Sequence, residues 1–283
     1  MSAGDTTAVA PKAIRGPSAI GGSWHRFREL LWLMALTEFK KVYFGTVLGY
    51  IWSLFRPLIF FGVLLLVFTK IIRFGNSVPN YPVLLLFNIV LFTFFQEITG
   101  LAVESVVSRE TIVRKTQFPR LVIPLSVVIT GLLNLGPSLL VVFGFILLYG
   151  VEPTWTWLLL PVIIVPLLVF TAAVSVSLSA LFVRFRDVGI IWGVASYALF
   201  YCTPVLYPIE YVPSALKPIF LINPLAPIFE QARVWIIDPN APGAVSAAGG
   251  IAGLLPAAAV FVFTCLFAWW VFNHEAPHIA EAL

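Results

Sequence analysis

The chain has 283 residues, 60% hydrophobic and only 11% charged, with a formal net charge of +4 and a mean hydropathy of +0.99. An average soluble domain is roughly 45–50% apolar and about 25% charged, so a water-soluble globular fold is excluded. Apolar runs longer than the roughly 18 residues of a bilayer span recur without the alternation of a β-barrel strand, which predicts an all-α integral membrane protein.

Residues 1–23 are rich in Ala, Gly, Pro, Ser and Thr and lack the continuous apolar stretch of a signal peptide. They read as a disordered cytoplasmic tail. Segment 24–41 (WHRFRELLWLMALTEFKK) places Trp24, Phe27, Leu30, Leu31 and Met34 at helical spacing, with Arg26, Arg28 and Glu29 mostly off that stripe and Lys40 and Lys41 at its end. That pattern predicts an amphipathic helix lying in the interface, apolar side toward lipid.

The first span is placed at 46–69 and contains Arg56-Pro57. A lipid-facing Arg in mid-span costs at least about 2.5 kcal/mol, so Arg56 either snorkels to the interface or faces protein. Span two, 82–105, is interrupted by Gln96 and Glu97. A carboxylate there faces a cavity or a partner, or else only caps a packing contact. The basic cluster Arg109 to Arg120 (RETIVRKTQFPR) leads into span three, 121–149. Span four, 157–183, opens at the interfacial pair Trp155 and Trp157. The short cluster RFRD, Arg184 to Asp187, precedes span five, 188–206.

Segment 207–243 carries prolines 208, 213, 218, 224, 227, 239 and 242, with Pro204 just before it. No straight span survives that density. The segment is nonetheless apolar and aromatic, and reads as short re-entrant helices shielded from lipid by protein. A sixth span, 244–272, and a polar tail, 273–283, complete the chain.

Six spans put both termini on one side. Twelve Lys and Arg then fall on that side and four on the other (Lys70, Arg73, Lys217 and Arg233), with Arg56 ambiguous. The positive-inside rule makes the first side cytoplasmic.

Several chemistries are missing. No Gly-Lys dipeptide occurs, so no phosphate loop of the GxxxxGK[ST] kind is present. The histidines, His25, His274 and His278, sit near the chain ends, and a metal site is not expected. Cys202 and Cys265 lie in apolar spans and read as buried free thiols. Acidic residues inside spans are nearly confined to Glu97 and Glu104, too few for a proton relay. Aromatic residues, by contrast, make up 15% of the chain. Most serve packing or interfacial anchoring, but an aromatic wall also suits sugars, whose apolar ring faces stack on π surfaces. Trp52 and Phe55 in span one, and Phe92 and Phe95 beside Glu97 in span two, are the candidate path residues.

An amphipathic N-terminal helix is followed in order by KVYFGTVLGYIWSLFRPL, RKTQFPRLVIPLS, LFVRFRDVGIIW, TPVLYPIEYVP and LINPLAPIFEQAR. This succession over residues 24–272 resembles the membrane subunit of ABC-type polysaccharide and polyol-phosphate exporters, the O-antigen (Wzm-like) and teichoic-acid permeases. The resemblance implies a half-transporter with no cofactor or ATPase site of its own. Two such subunits would pair with two separate ATPase subunits, which bind ATP and Mg, to move a lipid-linked glycan across the bacterial cytoplasmic membrane. No nucleic acid is implied.

The resemblance also assigns residues. Arg109, Glu110, Arg114, Lys115 and Gln117 match the coupling loop that docks in the ATPase. Arg184, Arg186 and Asp187 match the second cytoplasmic contact. Residues 24–41 match the interface helix, whose Arg26, Arg28, Lys40 and Lys41, with Arg56, would receive an anionic lipid head group. Residues 207–232 match external gate helices, with Tyr207, Pro208, Tyr211, Pro213, Asn223 and Pro224 as candidate gate residues. Arg56 departs from the family pattern, where a small polar residue is more usual. Two rival classes are an ABC exporter of a drug or small lipid and a membrane enzyme acting on lipid-linked substrates. The enzyme reading has only Glu210 and Glu230 as surface carboxylates on the external side.

Overall fold

The computed structural model describes residues 24–43, 47–111 and 119–275. The expected tail at 1–23, the loop residues Arg114, Lys115 and Gln117, and residues 276–283 of the C-terminal tail lie outside the described residues. Among the described residues every regular element is a helix: α1 (Trp24–Tyr43), α2 (Val47–Leu66), α3 (Tyr81–Val103), α4 (Val122–Leu148), α5 (Leu160–Arg184), α6 (Val188–Cys202), α7 (Lys217–Phe220), α8 (Leu225–Ile236), α9 (Ala244–Ala247) and α10 (Ile251–Glu275). Five are long and apolar enough to cross a bilayer: α2 with its π-helical continuation to Ile71, α3, α4, α5 with the turn before it, and α10. The chain is a multi-pass membrane protein.

α3 is the axis of the bundle. Its sequence is apolar around the whole circumference, so no face calls for solvent. Leu84 to Phe87, Ile89, Phe92 and Phe95 are all essentially inaccessible. α2, α4, α5 and α6 pack around it. α10 lies along α5 through a smaller cluster that includes Ala173, Val176, Ala180, Ala268, Val271 and Phe272. The outward faces of α2 and α10 stay bare of protein, as expected where lipid is as apolar as a neighbouring helix.

Helix ends follow from Gly and Pro. α4 stops at Gly150, which takes φ +88, with Val151 N–H bonding the Ile146 carbonyl and Gly150 N–H the Leu147 carbonyl. The same pair of bonds closes α9 at Gly249 (φ +73), from Gly250 to Val245 and from Gly249 to Ser246. The span expected from 244 is therefore cut, and its long helix begins at Ile251. The fifth span, expected to reach 206, ends at Cys202, because Pro204 holds Thr203 extended at φ −97, ψ 144. At 15 residues, α6 is about 22 Å long, short of the ~30 Å hydrocarbon core.

α1 rests on the bundle along part of its stripe, with Trp24 outside the contact and Leu30, Leu31 and Met34 partly covered. Phe27 and Ala35 are buried, and α4 is the main neighbour, with Thr130 Oγ1 donating to the Ala35 carbonyl at 3.1 Å. Trp24, Trp32 and Leu33 are its exposed large apolar residues. Cys202 likewise is exposed on α6 rather than buried.

α3 and α4 approach most closely at Gly131, where an added Cβ would sit 2.2 Å from Ile98 Cδ1 and 2.3 Å from Ile98 Cγ1. Such overpacking costs about 1–3 kcal/mol. Gly131→Ala is expected to lower the thermal midpoint of the detergent-purified protein. Gly144→Ala in the same helix, where nothing lies within 4 Å, should leave that midpoint nearly unchanged in the same fluorescence melt.

Candidate functional site

Two ends of the bundle can be told apart by their contacts. At the basic end, the C-terminus of α1, the chain after α3, the start of α4, the end of α5 and the end of α10 come together. Arg109 Nη2 meets Glu38 Oε1 at 3.2 Å, and Arg184 Nη1 meets Glu275 Oε1 at 3.6 Å. Lys41 Nζ shares Glu38 Oε1 at 3.3 Å. Burial pushes the Glu38 carboxyl up, but the hydrogen bonds and charges of Arg109 and Lys41 outweigh it and hold the carboxyl below its ordinary range. Arg184 and Arg186 lie over the rings of Phe185 and Phe182. Arg26, Arg28 and Lys40 are exposed.

At the opposite end, the proline-rich segment lies over the tops of α3 and α5. Its carbonyls have no helix to pair them, and side chains from the spans supply donors. Tyr81 OH donates to Leu206 O at 3.0 Å, and Asn88 Nδ2 to Pro204 O at 3.1 Å. Thr156 Oγ1 and Trp157 Nε1 donate to the carbonyls of Trp235 and Ile236. Tyr211 OH reaches Ser77 O at 2.9 Å, and Tyr207 OH reaches Tyr201 O at 2.5 Å. Asn223 donates from Nδ2 to Thr203 Oγ1 at 2.8 Å, while its Oδ1 accepts from Leu225 N–H and so holds the start of α8. Pro208 stands just before the 3-10 turn Ile209–Tyr211, Pro213 follows it, and Pro224 precedes α8.

The same segment contains a buried charge cluster. Arg233 is 3% exposed and Glu230 2%. Arg233 Nη2 lies 3.1 Å from Glu210 Oε1, and its Nη1 lies 3.9 Å from Glu230 Oε2. Glu230 Oε1 accepts from the Ile209 N–H at 2.7 Å. Burial is the largest influence on Glu230 and pushes its carboxyl up to about 7, against the pull of that N–H and of Arg233. Both carboxylates that the enzyme reading needed are thus engaged with Arg233, and Glu230 is closed to a substrate.

Between the two ends, α2, α3 and α6 enclose a side-opening groove of about 500 Å³. Its polar wall is Arg56, Thr93, Gln96, Glu97 and Ser196, and its aromatic wall is Phe60, Tyr197, Phe200 and Tyr201. Arg56 Nη1 meets Glu97 Oε1 at 3.2 Å, and Gln96 Nε2 donates to Ser196 Oγ at 3.3 Å. Arg56 is the tenth residue of α2, about 14 Å along that helix. Neither partner is buried within the single chain. Arg56 is the third residue of the apolar stretch Leu54–Ile71 and Glu97 lies near the end of Tyr81–Val103, so the pair sits toward one end of both spans.

The sequence-predicted path residues divide here. Glu97 lies in the groove, and Trp52 and Phe55 are exposed on α2. Phe92 and Phe95 are fully buried. Phe92 packs on Phe200, and Phe95 stacks on Phe170 and meets Trp192 edge-on. They back the wall rather than line it, because both rings lie on buried faces of α3, away from the Thr93, Gln96 and Glu97 side chains that reach the groove. Tyr197 and Tyr201, which sequence reasoning passed over, are the exposed rings. Their spacing of four places both on one face of α6, a signal present in the sequence.

Arrangement and comparison agree. The family model described as ABC-2 type transporter matches residues 29–237. The O-antigen export system permease protein RfbA of Myxococcus xanthus is 29% identical over 261 residues, covering 92% of this chain and 97% of that protein. A protein of the same name from Klebsiella pneumoniae is 32% identical over 199 residues, covering 70% of this chain and 76% of that protein. With helices that span the bilayer and a family match across most of its length, the chain belongs to the ABC-2 type transporter family.

Proposed function

We propose that the chain is the permease subunit of an ATP-driven exporter that moves a lipid-linked polysaccharide, such as an O-antigen, across the bacterial cytoplasmic membrane. The observation that carries this reading is the groove, with its ion pair and paired tyrosines at membrane depth. The names of the relatives above support it. A polymer must slide, so its wall needs contacts that every sugar ring can make. Ring faces of Tyr197, Tyr201 and Phe60 offer stacking, while Gln96, Ser196 and the Arg56–Glu97 pair offer hydrogen bonds that exchange as each ring passes.

Two copies of the chain pair so that their grooves face one another, with two ATPase subunits below. The basic end and both termini are cytoplasmic, in keeping with the positive-inside count. α6, extended through residues 203–206, makes the sixth crossing. Loop 109–120 docks in the ATPase through Glu110, Arg114, Lys115 and Gln117, and Arg184, Arg186 and Asp187 make a second contact. ATP and Mg are held by the partner and supply the energy. Closure of the ATPases pushes α3 and α4 as a rigid unit and separates α2 of one copy from α6 of the other. The anionic head of the substrate gathers at Arg26, Arg28, Lys40, Lys41 and Arg56, where each surface cation adds about 1 kcal/mol. The re-entrant segment 207–232 opens and reseals the external end.

Resealing depends on the buried cluster around Arg233, and this gives the external end a pH dependence with a definite sign. The Glu230 carboxyl is raised in the folded chain from 4.5 to about 7. Its contribution to stability is fully present below pH 4.5 and is lost as pH rises through 7. The loss is on the order of 3 kcal/mol.

Thermal melts of the purified protein should therefore show a midpoint that falls between pH 5 and pH 8, and Glu230→Gln should flatten that slope. A slope unchanged by Glu230→Gln would remove the assignment. Replacing both Tyr197 and Tyr201 by Ala should lower surface polysaccharide roughly five- to thirtyfold, if each ring loses about 0.5–1 kcal/mol of stacking, with protein level and ATPase association intact on immunoblots of the membrane fraction. Arg114→Glu with Lys115→Glu should weaken co-purification of the ATPase subunit while the permease stays in the membrane. Undiminished co-purification would refute the docking assignment.

A further inference from the structure

The buried side of α1 carries a joint to Arg109, which the resemblance matched to the docking loop but whose side chain turns inward to Glu38 and is not counted among the docking contacts. Met34 packs in a small apolar cluster with Val106 and Val107 from the chain after α3, Ile123 of α4 and Val183 of α5. One turn further along α1, Glu38 takes Arg109 at 3.2 Å. Arg109 is turned inward, with its side chain only 16% exposed. Met34 and Glu38 are four residues apart and so share one helix face, and Arg109 follows Val107 by two residues. An apolar contact and an ion pair therefore stand side by side across the same seam.

Two further features say what the seam connects. Toward the C-terminus, the chain continues from Arg109 directly into loop 109–120. On the other side, α1 ends at Tyr43 and α2 begins at Val47, so α1 leads within a few residues into the helix that carries Arg56. The middle of α1 is held to α4 through Thr130 and the Ala35 carbonyl. A displacement arriving at Arg109 would meet α1 first at Glu38.

We propose that Glu38 is a positioning residue for transport: its ion pair with Arg109 fastens α1 to the ATPase-docking loop, so that loop, α1 and the start of α2 are displaced as one body when the ATPases close. This rests on the reading of 109–120 as the docking loop. Glu38 touches neither nucleotide nor substrate. It acts through Arg109, and its loss leaves the ATPase able to dock and hydrolyse but disconnects that work from the groove. Lys41, which shares the Glu38 carboxylate, keeps it charged and directs it along the seam.

The test uses the full permease–ATPase complex and has two readouts, ATP hydrolysis by the purified complex and surface polysaccharide of the host cells on stained gels. Glu38→Arg sets two cations against each other. It should cut surface polysaccharide about fivefold or more, the range of a typical coupling free energy, while ATPase co-purification stays intact and hydrolysis stays within about twofold of the parent. Adding Arg109→Glu to Glu38→Arg restores the opposite charges and should return most of the export. Glu38→Gln, which keeps shape and removes charge, should lower the ratio of export to hydrolysis in the same direction, and it carries the test if Glu38→Arg does not reach the membrane. An unchanged export-to-hydrolysis ratio in Glu38→Gln overturns the proposal. So does failure of the charge exchange to restore export when the double variant is present at parent levels. Failure of the docking reading is separate: it appears as undiminished co-purification in the Arg114→Glu, Lys115→Glu variant, whatever Glu38 does.

Discussion

A guanidinium cannot stand alone in hydrocarbon, and an open polar side of an otherwise apolar bundle is marked by how Arg56 meets that constraint. It reaches across from α2 to Glu97 on α3 and forms the ion pair that ties the outermost of the long helices to the central one. Pairing lowers the cost of both charges but does not bury them. Charges near the end of a span meet water, another protein surface or the headgroup interface rather than hydrocarbon. That identifies one side of α2, α3 and α6 as different in kind from the side where α10 exposes Phe263, Leu266 and Trp269. The aromatic residues near Arg56 acquire their meaning from this. A tyrosine on a lipid face is an anchor, whereas Tyr197 and Tyr201 share a groove with an ion pair.

The same accounting explains the external segment. Its prolines rule out long helices, so its carbonyls need donors from elsewhere. The spans provide them from Tyr81, Asn88 and Trp157, each a polar group in an otherwise apolar stretch. Arg233 then supplies a second level of order. It is buried between two carboxylates of unequal exposure, of which Glu210 is half open and Glu230 closed. A buried cation of this kind stabilises little in net terms but is costly to strand, so it specifies one arrangement of the segment. Opening the external end would have to move α8 with its charge cluster intact, or else break the cluster.

Fold class was legible because hydropathy is read on a scale of twenty residues, where one misplaced residue changes nothing. Helix ends were less so, for they turn on single residues such as Gly249 and Pro204 inside runs that look continuous. The site was legible at Arg56 and Glu97, since charges in apolar spans announce themselves. It was misleading at Phe92 and Phe95. An α3 that is apolar on every face gives no sign of which face points where, and only packing shows that both rings are enclosed. Tyr197 and Tyr201 went unnoticed because α6 has no polar face to set them against. For the first helix, the sequence pattern leaves open what covers each part of the stripe. A stripe of Phe27, Leu31 and Met34 looks the same whether lipid or α4 will cover it.

That last point bears on how the molecule can work. An amphipathic helix floating on lipid would be a sensor of the membrane, free of the bundle's movements. With Phe27 and Ala35 buried and Glu38 joined to Arg109, α1 is part of the bundle instead. It lies between the two places where transport has to be coordinated, the basic loop at one side and the start of α2 at the other. A soft connection there would let ATP hydrolysis run without moving the groove. An apolar contact alone can slide, and an exposed ion pair alone contributes little. Met34 in its cluster together with Glu38 on Arg109 resists both sliding and separation, which is the mechanical property that a link between those two sites requires.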